Sequence, residues 1–185
     1  PFVRKKIPSP LAQRNVWAVL SACQSNRLPR VEATYELPDR FVIVYDYVPG
    51  STLAQIVEEN GRLAPNVAVQ LIDQICEAVQ ELHQHGVIHR DITPANIILA
   101  RDGAHLIDFG IARIWSASSN RSRGTTALGT YGFASPEQYG FAKTDARSDV
   151  FSLGRLLGFM LTGVYPDASD YEQRLADDAA VPARL

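Results

Sequence analysis

Residues 87–110 read VIHRDITPANIILARDGAHLIDFG, and this stretch is the most informative about the fold of the chain. Two apolar runs, residues 97–99 and 106–107, are separated by the dipeptide Asp102-Gly103. An Asp-Gly pair between apolar runs is a strong short-range signal for a β-hairpin. The stretch therefore predicts a small antiparallel hairpin, preceded by a loop that contains several polar residues.

The polar residues Asp91, Asn96 and Asp108 are spaced so that this hairpin would bring them together. Asn96 and Asp108 fall at neighbouring ends of the hairpin, and Asp91 lies on the loop that leads into it. Carboxylate and amide oxygens are ligands that suit Mg²⁺, which is usually shared with phosphate oxygens. The spacing favours a magnesium–phosphate site over the alternative, a surface hairpin with aspartates at its turns.

The composition is that of an ordinary globular domain. The 185 residues are 46% hydrophobic and 21% charged, enough apolar material for one domain with a core. The net charge of −2 gives no sign of a nucleic-acid or membrane surface. No apolar run approaches the ~18 residues of a membrane helix, and no signal peptide is visible. Cys23 and Cys76 lack a C-x-x-C pattern, which predicts reduced, buried thiols and a cytoplasmic location.

The start of the chain indicates a segment of a longer protein. Met160 is its only methionine, and the chain begins at Pro1. We therefore expect truncation at both ends, in a parent that could carry a membrane anchor elsewhere.

The combination HRDI-TPA-N followed by DFG resembles the signature of bacterial eukaryotic-like serine/threonine protein kinases. The resemblance is good over residues 41–166 and looser over the first forty residues. It implies an α+β, bilobal protein-kinase-like fold. Residues 1–48 would form a partial small lobe of antiparallel strands and one helix, without the glycine-rich loop. Residues 49–185 would form a partial, mostly helical large lobe with the catalytic loop and activation segment.

The resemblance also implies roles for the polar residues. Asp91 would be the catalytic base, and Asn96 and Asp108 would hold the Mg²⁺ ions that bridge the phosphates of ATP. Lys5 would contact the ATP phosphates from the first strand, with Lys6 as the second choice. The alternative for both lysines is a solvated basic cluster.

The nucleotide base would bind where the strand over residues 41–48 ends. Tyr45 would be the gatekeeper, and Asp46 and Val48 would offer backbone carbonyl and N–H groups to adenine. Ile98 would pack under adenine, or simply belong to the core. His89 is expected to be structural, since the family uses this position to support the loop.

Two positions depart from the family pattern. The predicted helix over residues 11–24 contains no acid to pair with Lys5, and the first acid in the chain is Glu32. Gln13 or Asn15 offers only a hydrogen bond. Thr93 stands where serine/threonine kinases usually carry a lysine that meets the γ-phosphate. Thr93 keeps a donor but lacks the charge, which predicts a slower chemical step.

The segment from Asp108 to Glu137 resembles an activation segment. Its polar middle predicts a loop with candidate phosphorylation sites at Ser122, Thr125 and Thr126. Arg90 would be buried beside it, where an incoming phosphate could pair with the guanidinium. The resemblance places Thr130 near the catalytic aspartate.

Three helices are predicted after residue 50, and each can be checked by its ends and its buried face. One runs over residues 52–59 with Ser51 as N-cap, and one from Pro65 to about His85. The apolar face of the second comprises Val67, Leu71, Ile75, Val79 and Leu82. A third, opened by residues 145–149, is apolar almost all round and should be buried throughout. Its apolar residues are Val150, Phe151, Leu153, Leu156, Leu157, Met160 and Leu161.

Asp149, at the start of this third helix, would brace the backbone of the catalytic loop. The tail over residues 167–185 has weak periodicity and should be frayed.

The function that the resemblance implies is transfer of the ATP γ-phosphate to serine or threonine hydroxyls of proteins, with ATP and Mg²⁺ as cofactors. Protein substrates would be the partners, with a homodimer through the small lobe in the parent and no nucleic acid. The missing helix acid and Thr93 keep open a pseudokinase or nucleotide-binding scaffold. A small-molecule kinase is disfavoured by the Ser-Pro-Glu segment at residues 135–137.

Overall fold

The computed structural model describes residues 1–115, 129–140 and 143–177. In chain order its strands and helices are β1 (Phe2–Pro8), α1 (Arg14–Leu20), β2 (Val31–Glu36), β3 (Arg40–Asp46), β4 (Ser51–Thr52), α2 (Leu53–Asn60), α3 (Pro65–Gln84), β5 (Val87–Ile88), β6 (Ile97–Ala100), β7 (Gly103–Leu106), β8 (Arg113–Ile114), α4 (Ala146–Thr162) and α5 (Tyr171–Asp177). Short 3₁₀ turns occupy Ser9–Leu11, Pro94–Asn96 and Pro136–Tyr139. The candidate phosphorylation sites Ser122, Thr125 and Thr126 lie outside the described residues.

The first three strands form an antiparallel sheet in the order β1-β3-β2. Val42 and Ile43 on the central strand are buried, as its β-branched composition predicts. Because side chains alternate along a strand, β1 places Lys5 on its half-buried face and Lys6 on its exposed face. The sheet thus distinguishes the two candidate lysines.

Helix α1 packs on this sheet and is shorter than the predicted helix over residues 11–24. A 3₁₀ turn with a proline at its start occupies Ser9–Leu11, and Ala12 after it is extended, so the α-helix begins only later. Trp17 of the helix is buried and stacks on Tyr45 of β3, with ring centroids 6.2 Å apart. The helix contains no acidic residue in its first turn, as its sequence requires.

Helix α2 begins one residue later than predicted, and Ser51 is not its N-cap. Thr52 caps the helix and forms a capping box with Gln55. Ser51 is instead paired with Leu99 in the short contact between β4 and β6, which fixes it as a strand residue. Gly61 ends the helix with a positive φ of 79°.

Helix α3 buries Ile75, Val79 and Leu82 against the core, as predicted. The prediction was wrong for Val67, which is 38% exposed. The buried residue of that turn is Ala68, because the inward-facing row continues from Ile75 back to position 68 at helical spacing.

Strands β6 and β7 form the hairpin predicted within residues 87–110. Ile97 pairs with Leu106 and Ala100 pairs with Gly103, which leaves Arg101 and Asp102 as the turn. The hairpin therefore turns one residue earlier than the Asp-Gly dipeptide suggests. Its two ends bring the positions that follow β7 next to those that precede β6.

Helix α4 is buried all round only in its last turns, so the expectation of burial was wrong for one side of its first two turns. Leu156, Phe159 and Met160 are fully buried against the rest of the core. Val150 and Phe151 are 60% and 39% exposed. No element within residues 1–115, 129–140 and 143–177 covers that side of the first two turns.

The tail is more ordered than expected up to residue 177. Tyr171 of α5 is 1% exposed, and the guanidinium of Arg155 lies 4.4 Å from the centre of its ring. Residues 178–185 lie outside the described part.

The expectation of buried thiols is wrong for Cys76, which is exposed, while Cys23 is half-buried. In the described part of the chain, no helix has both the length and the apolar character needed to cross a bilayer.

Candidate active site

The carboxylate of Asp91 is held at both oxygens. The side-chain amide of Asn96 donates to Asp91 Oδ2 at 2.9 Å, and the hydroxyl of Thr130 donates to Oδ1 at 2.8 Å. Asn96 belongs to the 3₁₀ turn before β6, and Thr130 lies 39 residues further along the chain than Asp91. The structure therefore brings the predicted base next to both predicted neighbours.

The amide of Asn96 is oriented by two hydrogen bonds to one residue. Its Nδ2 donates to the backbone carbonyl of Asp91 at 2.9 Å as well as to the carboxylate. Since both N–H bonds are used, Oδ1 is the atom left to accept a donor or bind a metal. The N–H of Ile107 donates to the backbone carbonyl of Asn96 at 2.9 Å and joins the two ends of the hairpin.

Asp108 faces the small sheet and pairs with Lys5. The Lys5 ammonium donates to Asp108 Oδ1 at 2.5 Å, and the N–H of Gly110 donates to the same oxygen at 2.9 Å. Burial alone would raise the pKa of this carboxyl, but the hydrogen bond and charge of Lys5 outweigh it, so the pKa is lowered. The carboxylate is therefore ionised and holds the cation that the sequence left without an acidic partner in α1.

The backbone around His89 and Arg90 is braced from below by Asp149. The N–H groups of His89 and Arg90 donate to the two oxygens of Asp149 at 2.9 and 2.8 Å. His83 Nε2 donates to the same carboxylate at 2.7 Å. Asp149 is fully buried, and these three donors replace the water that its carboxylate loses on burial.

His89 has the structural role that was expected. Its ring is buried, Nε2 donates to the carbonyl of Ile107 at 3.2 Å, and Nδ1 accepts from the N–H of Asp91 at 3.3 Å. Burial lowers the pKa of this imidazole, although Asp149 acts in the opposite direction. A neutral ring with its proton on Nε2 satisfies both contacts.

Arg90 is buried, as expected, and its backbone is strained. Its φ is 69°, a left-handed conformation that a non-glycine residue rarely adopts. Besides Asp149, the side chain of Gln138 holds it by donating to the Arg90 carbonyl at 2.7 Å. Burial and the nearby Arg113 lower the pKa of the guanidinium. Its Nε and Nη2 have no hydrogen-bond partner among residues 1–115, 129–140 and 143–177.

The remaining predicted residues lie around this centre without joining its hydrogen bonds. Thr93 is buried at the start of the 3₁₀ turn, two residues after Asp91. Ile98 is half-buried on β6, opposite His105 of β7. Asp46 ends β3, and its N–H donates to the carbonyl of Arg30 at 3.0 Å, so its own carbonyl is the group that remains to be offered.

The site also contains contacts that the sequence does not announce. His83 reads as a histidine near the end of α3, yet it binds an aspartate 66 residues away. Gln138 lies in the 3₁₀ turn after Ser135 and is fully buried under the loop. Neither residue carries a local pattern, so only the three-dimensional arrangement reveals them.

An HRD loop, a hairpin and a DFG turn, set between a small antiparallel sheet and a group of helices, are the elements of a protein-kinase fold. The protein kinase domain family model matches residues 9–181. The chain belongs to this family, which confirms the expected family and fold class. Lys5 precedes the matched segment.

Bacterial serine/threonine kinases are among the similar proteins. The serine/threonine-protein kinase PknB of Mycolicibacterium smegmatis is 42% identical over 149 residues, which cover 77% of this chain and 24% of the relative. PknB of Mycobacterium tuberculosis is 45% identical over 130 residues, covering 69% and 21%. PknD of the same species is 36% identical over 156 residues, covering 81% and 23%. The chain thus spans about a quarter of the length of these curated relatives.

Proposed function

We propose that this chain is the catalytic core of an enzyme that transfers the γ-phosphate of ATP to serine or threonine hydroxyls of proteins. The observation that carries the proposal is the pair of contacts that fixes the Asp91 carboxylate, with Asn96 and Thr130 as donors. The relatives named above are serine/threonine-protein kinases, which supports this kind of substrate.

Asp91 acts as the general base in this proposal. Its carboxylate accepts the proton of the substrate hydroxyl, and each of its oxygens keeps a free lone pair beside the hydrogen bond it already accepts. Because both oxygens are already held, the carboxylate does not need to reorient when the substrate binds, which favours the reaction geometry. The neighbouring Thr130 hydroxyl supports recognition of a hydroxyl-bearing side chain at the same oxygen.

The residues beside Asp91 fit Mg²⁺ by their donor chemistry. Asn96 Oδ1 is free of the Asp91 contacts, and Asp108 has an ionised carboxylate with one oxygen not used by Lys5. When bound, Mg²⁺ neutralises charge on the phosphates. Lys5 would exchange its contact with Asp108 for a phosphate oxygen, and Thr93 would offer a hydroxyl donor from the same loop.

Adenine is proposed to bind between the end of β3 and strand β6. Asp46 would offer its backbone carbonyl and Val48 its N–H, while Ile98 packs under the ring. Tyr45 is half-buried at the back of this region, against Trp17. These assignments follow the family pattern.

The division into a small lobe over residues 1–48 and a large lobe over residues 49–185 is likewise a proposal, as are a cytoplasmic location and a homodimer through the small lobe. The sheet edges supply exposed apolar residues for such a dimer, with Phe2 63% and Tyr35 55% exposed. Sedimentation of the chain and of Tyr35→Glu at matched concentrations tests the homodimer. The variant should remain monomeric if the β2 edge of the sheet forms the interface.

The test of the function is phosphate transfer from labelled ATP and Mg²⁺ to a mixed protein substrate. We expect Asp91→Asn to lower the rate ~10²–10⁴-fold, the usual contribution of a general base. Asp39→Asn is the matched control, because Asp39 lies at an exposed turn with a side chain that is 74% exposed. Equal rates for the wild type and Asp91→Asn would contradict the proposal.

A further inference from the structure

A second group of metal-ligating side chains lies away from the candidate active site. Cys23 follows α1, and Glu81 and His85 lie one helical turn apart at the end of α3. One ligand atom of each residue (the Cys23 thiol sulfur, a Glu81 carboxylate oxygen and a His85 ring nitrogen) lies within 4.8 Å of the other two. Residues four apart on a helix share a face, so α3 offers its two ligands side by side.

Two hydrogen bonds orient the ligands on α3. His85 Nδ1 donates to the carbonyl of Glu81 at 2.9 Å, which leaves the lone pair of this imidazole on Nε2. A metal-binding histidine usually has its other nitrogen fixed in this way. The N–H of Gln24 donates to Glu81 Oε1 at 2.5 Å, so the residue after Cys23 holds the carboxylate in place.

The surroundings of Cys23 suit a metal ligand. The thiol is half-buried beside the Glu81 carboxylate. A reactive cysteine would need cationic neighbours instead. A cation between the sulfur and the carboxylate would stabilise a thiolate and the carboxylate together, so the surroundings fit a metal ligand better than a nucleophile.

We propose that Cys23, Glu81 and His85 bind a zinc ion, with water or another ligand in the fourth position. Sulfur, nitrogen and oxygen donors together select Zn²⁺ over Mg²⁺ or Ca²⁺, which take oxygen ligands. Tetrahedral zinc holds its ligand atoms ~3.3–3.8 Å apart, from its usual bond lengths. The three ligand atoms lie within 4.8 Å of one another, so small side-chain rotations, which the exposed His85 ring allows, would complete this geometry.

The ion would link the segment after α1 to the end of α3. Without it, the Gln24–Glu81 hydrogen bond already joins these two parts of the chain. His85 stands immediately before Gly86 and β5, which leads into residues 89–91. The proposed site is independent of the phosphotransfer proposal, because none of its three residues contacts Asp91, Asn96 or Asp108 in the described residues.

The test is a cobalt titration of the full chain, kept reduced with a non-thiol reductant. We expect one equivalent of Co²⁺ to give a thiolate-to-cobalt charge-transfer band, which Zn²⁺ removes by competition. Cys23→Ser should abolish the band, and Glu81→Gln and His85→Gln should each weaken binding at least ~10-fold. The matched control is Cys76→Ser, which removes the exposed cysteine of α3 and should leave the band unchanged.

Circular dichroism of each metal-free variant separates loss of a ligand from loss of the fold. If Cys23→Ser fails to fold, the same titration on Glu81→Gln and His85→Gln decides the matter. The proposal is overturned if the wild type shows no saturable band, if the band survives Cys23→Ser, or if neither α3 variant weakens it.

Discussion

Two aspartates near the loop over residues 89–96 are held in contrasting ways. Asp149 lies beneath the loop, fully buried, with three donors on its two oxygens. Asp108, which follows β7, has a side chain that is 46% exposed and paired with Lys5, whose side chain is 30% exposed. The buried carboxylate serves the fold, whereas the exposed one is free to exchange partners.

The difference follows from the energetics of burial. Removing one partner of a buried charge network leaves desolvated groups unpaired, which costs ~3–5 kcal/mol. An ion pair in contact with water contributes only ~0–1 kcal/mol, because water and salt screen it. The loop therefore rests on a fixed support, and the Lys5–Asp108 pair can open for a ligand at little cost in stability.

The largest expected effect comes from removing the buried carboxylate of Asp149. Asp149→Ala should lower the free energy of unfolding by ~3–5 kcal/mol, since two backbone N–H groups and His83 lose their acceptor. Chemical denaturation measures this loss. Asp170→Ala is the control, because that aspartate is 48% exposed and pairs with Arg174 of the same helix region. A loss below ~1 kcal/mol for Asp149→Ala would contradict the supporting role.

Breaking the exposed side should separate binding from stability. Lys5→Met is expected to weaken ATP binding ~10–100-fold, the effect of losing a hydrogen bond to a charged group. The free energy of unfolding should change by less than ~1 kcal/mol, because the pair is exposed. Calorimetric titration with ATP and a denaturation curve measure the two quantities. Lys6→Met, on the outer face of β1, should leave both unchanged, and an equal effect of the two variants would contradict the assignment.

A smaller effect should appear as a pH dependence from His89. Its pKa is lowered in the folded protein, so below pH ~6.5 the unfolded chain takes up a proton that the folded protein does not. Above that pH the contribution of His89 to the free energy of unfolding should be constant. Below it the free energy of unfolding should fall, by at most ~1.4 kcal/mol per pH unit. Denaturation curves from pH 7 to 5 measure the slope, which His89→Gln should reduce. An unchanged slope in that variant would show that His89 is not the group responsible.

The sequence predicted the features that depend on short stretches. The Asp102-Gly103 dipeptide, the two apolar runs and the spacing of Asp91 and Asn96 are local, so the hairpin and its meeting ends could be inferred from them, although the turn itself lies one residue earlier. Thr130 and Asp149 were also placed correctly, through the family resemblance. The roles of Lys5, Asp91, Thr93, Asn96 and Asp108 in catalysis stay predictions until activity is measured.

What the sequence did not predict depends on contacts between distant segments. Ser51 looks as good a cap as Thr52, and only the pairing of β4 with Leu99 decides between them. The acid-free α1 showed that Lys5 lacked its usual partner, but the replacement by Asp108 required the folded sheet. The half-exposed face at Val150 and Phe151 could not be recognised either, because an apolar helix does not reveal which of its sides is covered.

Asp149 also links three parts of the chain: α4, which carries it, α3 through His83, and the backbone at His89 and Arg90. Those two amides donate to a fully buried acceptor that α3 and α4 hold in place. Amide hydrogens held in this way exchange with deuterium only when a large cooperative unit opens. Deuterium uptake at residues 89 and 90 should therefore report the global stability of the large helical part.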